Sequence, residues 1–320
     1  MRIRLHRNRA LCASLCYIAQ GAGLESFQSG AKKRVERDSH LDMSLALSII
    51  IPAYNEAARL GKTLQSILVY LNDYDAAAEL IVVDDGSRDD TAKIAESILA
   101  RSDRVAARLI RYEPNRGKGY AVRTGLLAAQ APIALFTDAD LSTPLSEIPK
   151  IVAPIASGEY DLVFGSRALD RSLIGVDQPW RRKQSGRIFN LIVRLATGMP
   201  FWDTQCGFKA FRMSVCRPII EAATVDRFGF DVELLFVAYR AGLRLLERAV
   251  RWNHNEGSKV NVARDSFRML NEVLSIRRRA RAGDYDRAIA SARAQLAEEL
   301  RRPTPQELSD VPQELSSSRI

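Results

Sequence analysis

The sequence predicts an α/β protein with a mostly parallel central sheet. Short uninterrupted apolar runs such as LALSIIIP, ELIVVD and PIALFT have the length and character of strands buried on both faces. Between them lie segments with helical periodicity, in regular alternation. Three of the runs end in a carboxylate-bearing turn, at the strand ends where open α/β sheets bind their ligands.

The elements follow in order. Leu45 to Pro52 reads as a first strand stopped by proline, and Glu56 to Leu71 as a helix with Leu60, Leu64, Ile67, Leu68 and Leu71 on one face. Glu79 to Asp84 is the second strand, Asp89 to Leu99 a helix with an acidic start that suits its dipole, and Val105 to Tyr112 the third strand. Gly119 to Ala129 reads as a helix, Pro132 to Thr137 as the fourth strand, Pro144 to Ala156 as a helix and Asp161 to Gly165 as the fifth strand. After 166 the pattern loosens. Arg187 to Ala196 is apolar except for Arg187, Asn190 and Arg194, which make a narrow polar stripe on a helix. Phe230 to Ala241 is expected to be helical and Leu243 to Trp252 extended. Asp265 to Arg281 is expected to be a basic amphipathic helix carrying Phe267, Met269, Leu270, Val273, Leu274 and Ile276. The organisation expected is an α/β domain over 43–260, the basic helix within 261–283, and a charged tail over 284–320 with a helix near Tyr285 to Leu300.

Residues 1–42 show no clear periodicity and are expected to form a disordered extension. Met43, just before the first strong strand, is an alternative start. Arg2, Arg4, Arg7 and Arg9 ahead of an apolar stretch at Ala10 to Ala19 leave a short leader as the other reading. No apolar run reaches the ~18 residues of a membrane span.

The net charge of +9 suits anionic partners: phosphates, nucleic acid or an acidic membrane face. The basic residues are scattered or sit near phosphate-type motifs, and no nucleic-acid-binding motif occurs, so nucleic acid is disfavoured. The four cysteines form no CxxC and the three histidines are dispersed, which argues against zinc and against a disulfide framework. Reduced, buried or idle thiols are expected.

The chemistry concentrates at three strand ends: Pro52-Ala53-Tyr54-Asn55-Glu56, Asp84-Asp85-Gly86-Ser87 and Asp138-Ala139-Asp140. Each taken alone reads equally well as a cap or a turn. Together at one edge of a sheet, their carboxylates repel unless a cation sits among them. A hard divalent ion takes oxygen ligands, and Mg²⁺ commonly uses one or two carboxylates plus substrate phosphates. Asp138 and Asp140 therefore read as a metal–diphosphate clamp.

The ordered set SIIIPAYNE, VVDDGSRDDT, NRGKGYAVRTG, FTDADLSTP, GSR and CGFKAF resembles the family 2 glycosyltransferases of GT-A fold. Within them it resembles the polyprenyl-phosphate sugar transferases. DADLSTP, DTQCGFKAF and GSKV followed by RDSFRML point to the dolichyl-phosphate β-glucosyltransferase subgroup. The resemblance spans about 45 to 280 and implies specific roles. Pro52, Tyr54 and Glu56 would line the nucleotide pocket, with Val83 and Asp85 at base and ribose. Asp138 and Asp140 would flank diphosphate and metal, with backbone contact at Ala139. Ser142 stands where mannosyl relatives carry a metal-supporting Gln and is a weaker ligand. Arg167 would face the reacting phosphates, Arg181 and Ser185 the acceptor phosphate, and Lys259 would close over the diphosphate. The activity implied is inverting transfer of a sugar onto a polyprenyl or dolichyl phosphate with a divalent metal, Mg²⁺ or Mn²⁺. UDP-glucose is the expected donor. GDP-mannose is the first alternative, and a soluble acceptor with Asp231 or Glu233 as base is the second. The lipid acceptor implies peripheral contact at the inner face of the cytoplasmic membrane. The 187–196 segment is a candidate interfacial helix, with Phe189, Leu191 and Ile192 toward lipid, and so is the basic 265–281 helix.

Overall fold

A computed structural model describes residues 45–74, 76–176, 190–253 and 262–301. Seven strands form the main sheet: β1 (Leu47–Ala53), β2 (Ala78–Asp84), β3 (Ala106–Arg111), β4 (Ile133–Thr137), β5 (Leu162–Ser166), β7 (Phe208–Arg212) and β8 (Leu245–Ala249). Their spatial order is β3-β2-β1-β4-β7-β5-β8. All run parallel except β7, which is antiparallel to both of its neighbours. A small parallel pair joins β6 (Ile174–Val176) to β9 (Trp252–Asn253).

Both faces of the sheet are covered, which is why its strands are continuously apolar. Leu47, Ile49, Ile51 and Ala53 of β1 pack toward α1 (Ala57–Asn72), α2 (Thr91–Leu99) and α4 (Ile148–Ala156). Ile50 points the other way, toward α3 (Lys118–Ala128), α6 (Met213–Ala222) and α7 (Phe230–Ala241). α5 (190–197) precedes β7.

The strands and helices up to β5 lie within two residues of their expected bounds. One exception is α4, whose first turn is a 3₁₀ segment, Leu145–Glu147. The expected extended stretch Leu243 to Trp252 is interrupted at Val250–Arg251 and divides into β8 and β9. β7 and α6 were not anticipated. The chain passes from Arg212 straight into the helix at Met213 with no turn residue between, and α6 contains Pro218, so neither signals itself locally. The basic helix is longer than expected, α8 (Val262–Ala282). The charged segment after 284 is, through Arg301, the helix α9 (Asp286–Arg301), with Ala288, Ile289 and Ala292 buried. Glu233 of α7 ties this region in: it accepts hydrogen bonds from Thr224 N, Val225 N and Tyr285 Oη at 2.9, 2.8 and 2.6 Å. The described cysteines, Cys206 and Cys216, are free and buried, and burial pushes the Cys206 thiol up to about 12. No described helix is long and apolar enough to cross a membrane.

Candidate active site

The sheet order reverses between β1 and β4, so the connections leaving their carboxyl ends diverge and open a crevice there. The three acidic turns all meet it. The β1 and β2 turns are stitched together. Asn55, in the left-handed region at φ 53°, donates from its backbone N to Ser87 Oγ at 2.9 Å, and its Oδ1 accepts from Arg88 N at 2.8 Å. Glu56 N donates to Thr91 Oγ1 at 2.7 Å, and the Glu56 carboxylate pairs with Arg59. Tyr54 is exposed on this turn, while Pro52 and Val83 are register partners in adjacent strands. Val83 has no exposed surface and packs beneath Gly125 of α3.

Asp85 is buried and organises the NRGKG turn. Its carboxylate accepts from Asn115 Nδ2, Arg116 N and Gly117 N at 2.7, 2.8 and 2.9 Å. The neighbouring Gly86 has φ +68°, and a Cβ there would lie 2.7 Å from Asn115 N, so only glycine fits this approach. The turn delivers Lys118 as the first residue of α3. Its ammonium lies 2.6 Å from Asp138 Oδ1. Burial pulls the Lys118 pKa down, but the carboxylates of Asp138, Asp231 and Asp140 outweigh it and hold the lysine above its ordinary value.

Asp138 and Asp140 leave β4 on a turn closed by Leu141 N to Asp138 O at 3.1 Å, with Leu141 at φ 46°. The intervening Ala139 is fixed through its carbonyl, which accepts from Thr63 Oγ1 of α1 at 2.6 Å. Asp140 Oδ1 accepts from Ser142 N at 2.9 Å, and Ser142 is buried. Because β7 runs antiparallel beside β4, Phe208 pairs with Thr137 and Gly207 comes up against Asp138. A Cβ at Gly207 would stand 2.2 Å from Asp138 Oδ2, so the carboxylate occupies a cradle that only glycine leaves open. No group of three His, Cys, Asp or Glu side chains gathers among the described residues. The donor set is two hard carboxylates, which suits a divalent ion whose remaining ligands come from a diphosphate and water.

Two further ion pairs lie near Asp138. Lys209 of β7 is fully buried, 2.6 Å from Asp231 Oδ1 and 2.6 Å from the Cys206 carbonyl. Burial raises the Asp231 pKa, against the pull of Lys209 and Lys118. Arg167, after β5, makes a forked pair with Asp203: Nε to Oδ2 at 2.7 Å and Nη2 to Oδ1 at 2.9 Å. Its guanidinium lies over the Trp252 ring at 5.7 Å. Burial pushes Asp203 up, but Arg167 prevails and holds it at about 2.

The profile of the family described as "Glycosyl transferase family 2" matches residues 48–220, more than half of the chain. The chain belongs to glycosyltransferase family 2. Among its relatives, the transferase is 33% identical over 255 residues to a "Dolichyl-phosphate beta-glucosyltransferase" of Dictyostelium discoideum, covering 76% of this chain and 77% of that protein. It is 36% identical over 228 residues to the protein of the same name from Drosophila melanogaster, covering 68% and 70%. Glucosyl-3-phosphoglycerate synthase from Mycobacterium tuberculosis, solved with Mn²⁺, UDP-glucose and phosphoglyceric acid, shares the fold. Its TM-score is 0.53 at 21% identity, covering 75% of this chain and 80% of that one. The central sheet of the transferase is thus of the GT-A kind expected.

The structure therefore brings Tyr54, Glu56, Asp85, Asp138, Ala139 and Asp140 to one crevice. Arg181, Ser185 and Lys259 lie outside the described residues, as does Phe189. Four side chains of the transferase's site had been given no primary role. Lys118 and Lys209 lie within NRGKGYAVRTG and CGFKAF, Asp203 begins DTQCGF, and Asp231 is expected from sequence only as a base for a soluble acceptor. Lys118 did leave a signal. A lysine at the first position of a helix opposes the helix dipole, which marks a position kept for another purpose.

Proposed function

We propose that this transferase moves glucose from UDP-glucose to the phosphate of a polyprenyl or dolichyl lipid, with inversion at the sugar and with a divalent cation, Mg²⁺ or Mn²⁺. The relatives' names support the donor sugar and the acceptor. One geometric observation carries the reading over transfer to a soluble hydroxyl: both carboxylates available as a base are engaged elsewhere. Asp231 is paired with Lys209, and Glu233 is consumed by Thr224 N, Val225 N and Tyr285 Oη. A hydroxyl acceptor needs a base; a phosphate monoester, with its second pKa near ~6, is already a dianion at neutral pH.

The reaction then needs no proton removed. An acceptor phosphate oxygen forms the new bond to the anomeric carbon. The bond from that carbon to the donor's β-phosphate oxygen breaks on the opposite face, and its electron pair leaves with UDP. Asp138 and Asp140 would hold the cation, which when bound supplies neutralising charge to the departing diphosphate. Lys118 stands in contact with Asp138 and adds a fixed positive charge beside the same group. Asp203 fixes Arg167 in one orientation, so its guanidinium loses little freedom in meeting a phosphate. Arg181, Ser185 and Lys259 remain the residues proposed for the acceptor phosphate and the diphosphate.

A transfer assay on purified protein tests this. Polyprenyl phosphate is offered with UDP-glucose, GDP-mannose or UDP-N-acetylglucosamine, with Mg²⁺ or chelator, beside Asp140→Ala. Chelator-sensitive glucosyl lipid, lost in the variant, is the expected result. Mannosyl lipid would keep the chemistry and change the donor. UDP-glucose hydrolysis without any lipid product would overturn the acceptor and return attention to Asp231.

A further inference from the structure

One carboxylate near the crevice has no cation for a partner. Glu247 lies on β8, the outermost strand on its side of the sheet, and none of the described lysines and arginines pairs with it. Charged residues on an edge strand commonly do no more than keep that edge from pairing with another chain. Glu247 does something more specific. Its two oxygens are engaged by consecutive backbone N–H groups: Trp202 N donates to Oε2 at 2.9 Å and Asp203 N to Oε1 at 2.8 Å. Bonds from N–H groups to an ionised carboxylate are stronger than neutral ones, and two of them together fix both the position and the tilt of the peptide between them.

The segment so gripped is the chain between α5 and β7. β5 and β8 lie side by side and parallel, with Phe164 opposite Glu247. Phe201 is buried and packs edge-on against Phe164, its ring 5.1 Å away. Glu247 takes the next two N–H groups, and Asp203 then meets Arg167 where the chain leaves β5. Asp203 Oδ2 accepts from Arg167 N at 3.0 Å and Nε at 2.7 Å, and Oδ1 accepts from Arg167 Nη2 at 2.9 Å and Gln205 N at 3.2 Å.

A fork of this kind fixes the arginine only relative to the aspartate. If the Asp203 backbone drifts, the pair drifts with it, still bonded. The guanidinium has a defined place in the crevice only if residue 203 is itself anchored, and the anchor on its backbone N–H is Glu247. Position matters here because the DAD turn is close. Burial works against the Arg167 charge, and the Asp203 carboxylate, with a smaller contribution from Asp138, outweighs it.

We propose that Glu247 is a positioning residue for the transfer reaction, holding Asp203 and through it the Arg167 guanidinium at the edge of the crevice. The proposal rests on the reaction proposed above, in which Arg167 meets the phosphates. It adds a residue from the LLERAV segment, outside every motif quoted from the sequence. The plainer role, satisfying two N–H groups that no strand ladder serves, would stabilise the loop without aiming the arginine.

A double-mutant cycle separates the two roles. Glucosyl transfer from UDP-glucose to polyprenyl phosphate is measured for the wild type, Glu247→Gln, Arg167→Lys and the double variant, at a temperature where melting curves show all four folded. Glutamine keeps the size of the side chain but turns a donor toward one of the two N–H groups. Glu247→Gln is expected to lower kcat about tenfold, with the KM for UDP-glucose within about twofold of wild type. In the Arg167→Lys background the same substitution should cost less than about twofold, because no fork remains to be aimed. The second readout does not depend on activity: the Nε–H resonance of Arg167 in an NMR spectrum, assigned by its absence from Arg167→Lys. Its exchange with water should be slow in the wild type and at least about tenfold faster in Glu247→Gln. Glu247→Ala, which removes both bonds, should exceed the glutamine variant in each effect, and the glutamine variant stands alone if the alanine variant does not fold. Additive losses in the cycle, or an Arg167 resonance that the substitutions leave unchanged, overturn the proposal. Absence of glucosyl transfer by the wild type would sink the reaction proposed above, and the Arg167 resonance alone would then decide whether Glu247 holds the guanidinium.

Discussion

Gly207→Ala should disable the enzyme while leaving the fold intact. Gly207 does not occupy the left-handed region, so alanine adds no backbone strain. Its Cβ, however, would stand 2.2 Å from Asp138 Oδ2 and 2.6 Å from Cγ and Oδ1, where Cβ contacts below 3.0 Å are essentially never seen. The carboxylate must retreat by at least 0.8 Å, the gap between 2.2 and 3.0 Å. It has room to do so, because the Asp138 side chain is 35% exposed, and the cost in stability should stay within about 1 kcal/mol. Catalysis has no such room: a displacement near 1 Å of a charge-positioning group costs on the order of 100-fold, or about 2.7 kcal/mol of transition-state stabilisation. Initial transfer rates measured against Mg²⁺ and Mn²⁺ concentration, beside a thermal melt, decide the matter. Expected are a kcat/KM about 100-fold down, a raised metal half-saturation and a nearly unchanged melt. A variant within about threefold of wild type, with the same metal dependence, would refute the placing of Asp138 at the reacting diphosphate.

Other outcomes follow from the ion pairs. The Asp203 carboxyl, held at about 2 by Arg167, has a depressed folded-state pKa, so its contribution is present above the ordinary carboxylate range and lost as pH falls through 4 toward 2. That contribution is about 2 kcal/mol, and Asp203→Asn should be less stable at neutral pH with a shallower fall in melting temperature between pH 4 and 2. Glu233→Ala should cost about 3 kcal/mol by stranding Thr224 N, Val225 N and Tyr285 Oη, yet leave kcat intact at temperatures where the protein stays folded; a selective loss of kcat would revive Glu233 as a base. Lys118→Met should weaken UDP-glucose binding in calorimetry and strengthen the binding of Mn²⁺ alone, whereas weakening of both would mean that the lysine only supports the fold.

The first half of the fold was legible because it obeys local rules. Strands such as Ile49 to Ile51, apolar on successive residues, sit in the middle of a sheet covered on both faces. β7 was not, because its lysine is buried at a position where sequence pattern predicts none. Lys209 is tolerated there by Asp231, which arrives from another helix, and pairing of that range leaves no periodic trace. A helix near Tyr285 to Leu300 was expected and α9 (Asp286–Arg301) meets it, but its burial was not legible. Its anchors are small residues, Ala288 and Ala292, and a tyrosine just before it, Tyr285, rather than a stripe of leucines. In the site, the DAD turn declared itself through charge repulsion, which is a property of adjacent residues. The Gly207 cradle and the Asp203–Arg167 fork are properties of strand order. They became visible only once β7 was seen to run antiparallel between β4 and β5.

On the proposed reaction, the charges of the crevice favour binding of the cation and the donor together. Asp138, Asp140 and Asp231 all act on Lys118, and Lys209 pairs with Asp231, which sets three negative groups against two positive. A divalent cation alone would turn that one-charge deficit into a one-charge excess. A donor diphosphate alone would put two more negative charges beside carboxylates that already need a lysine between them. Bound as a pair, the two ligands bring equal and opposite charge and leave the balance of the crevice as it was. On the proposed reaction, Lys118 would then keep its contact with Asp138 rather than lose it to the metal. The lysine at the start of α3, unfavourable for the helix, is what allows two carboxylates one residue apart to persist on a turn before any ligand arrives.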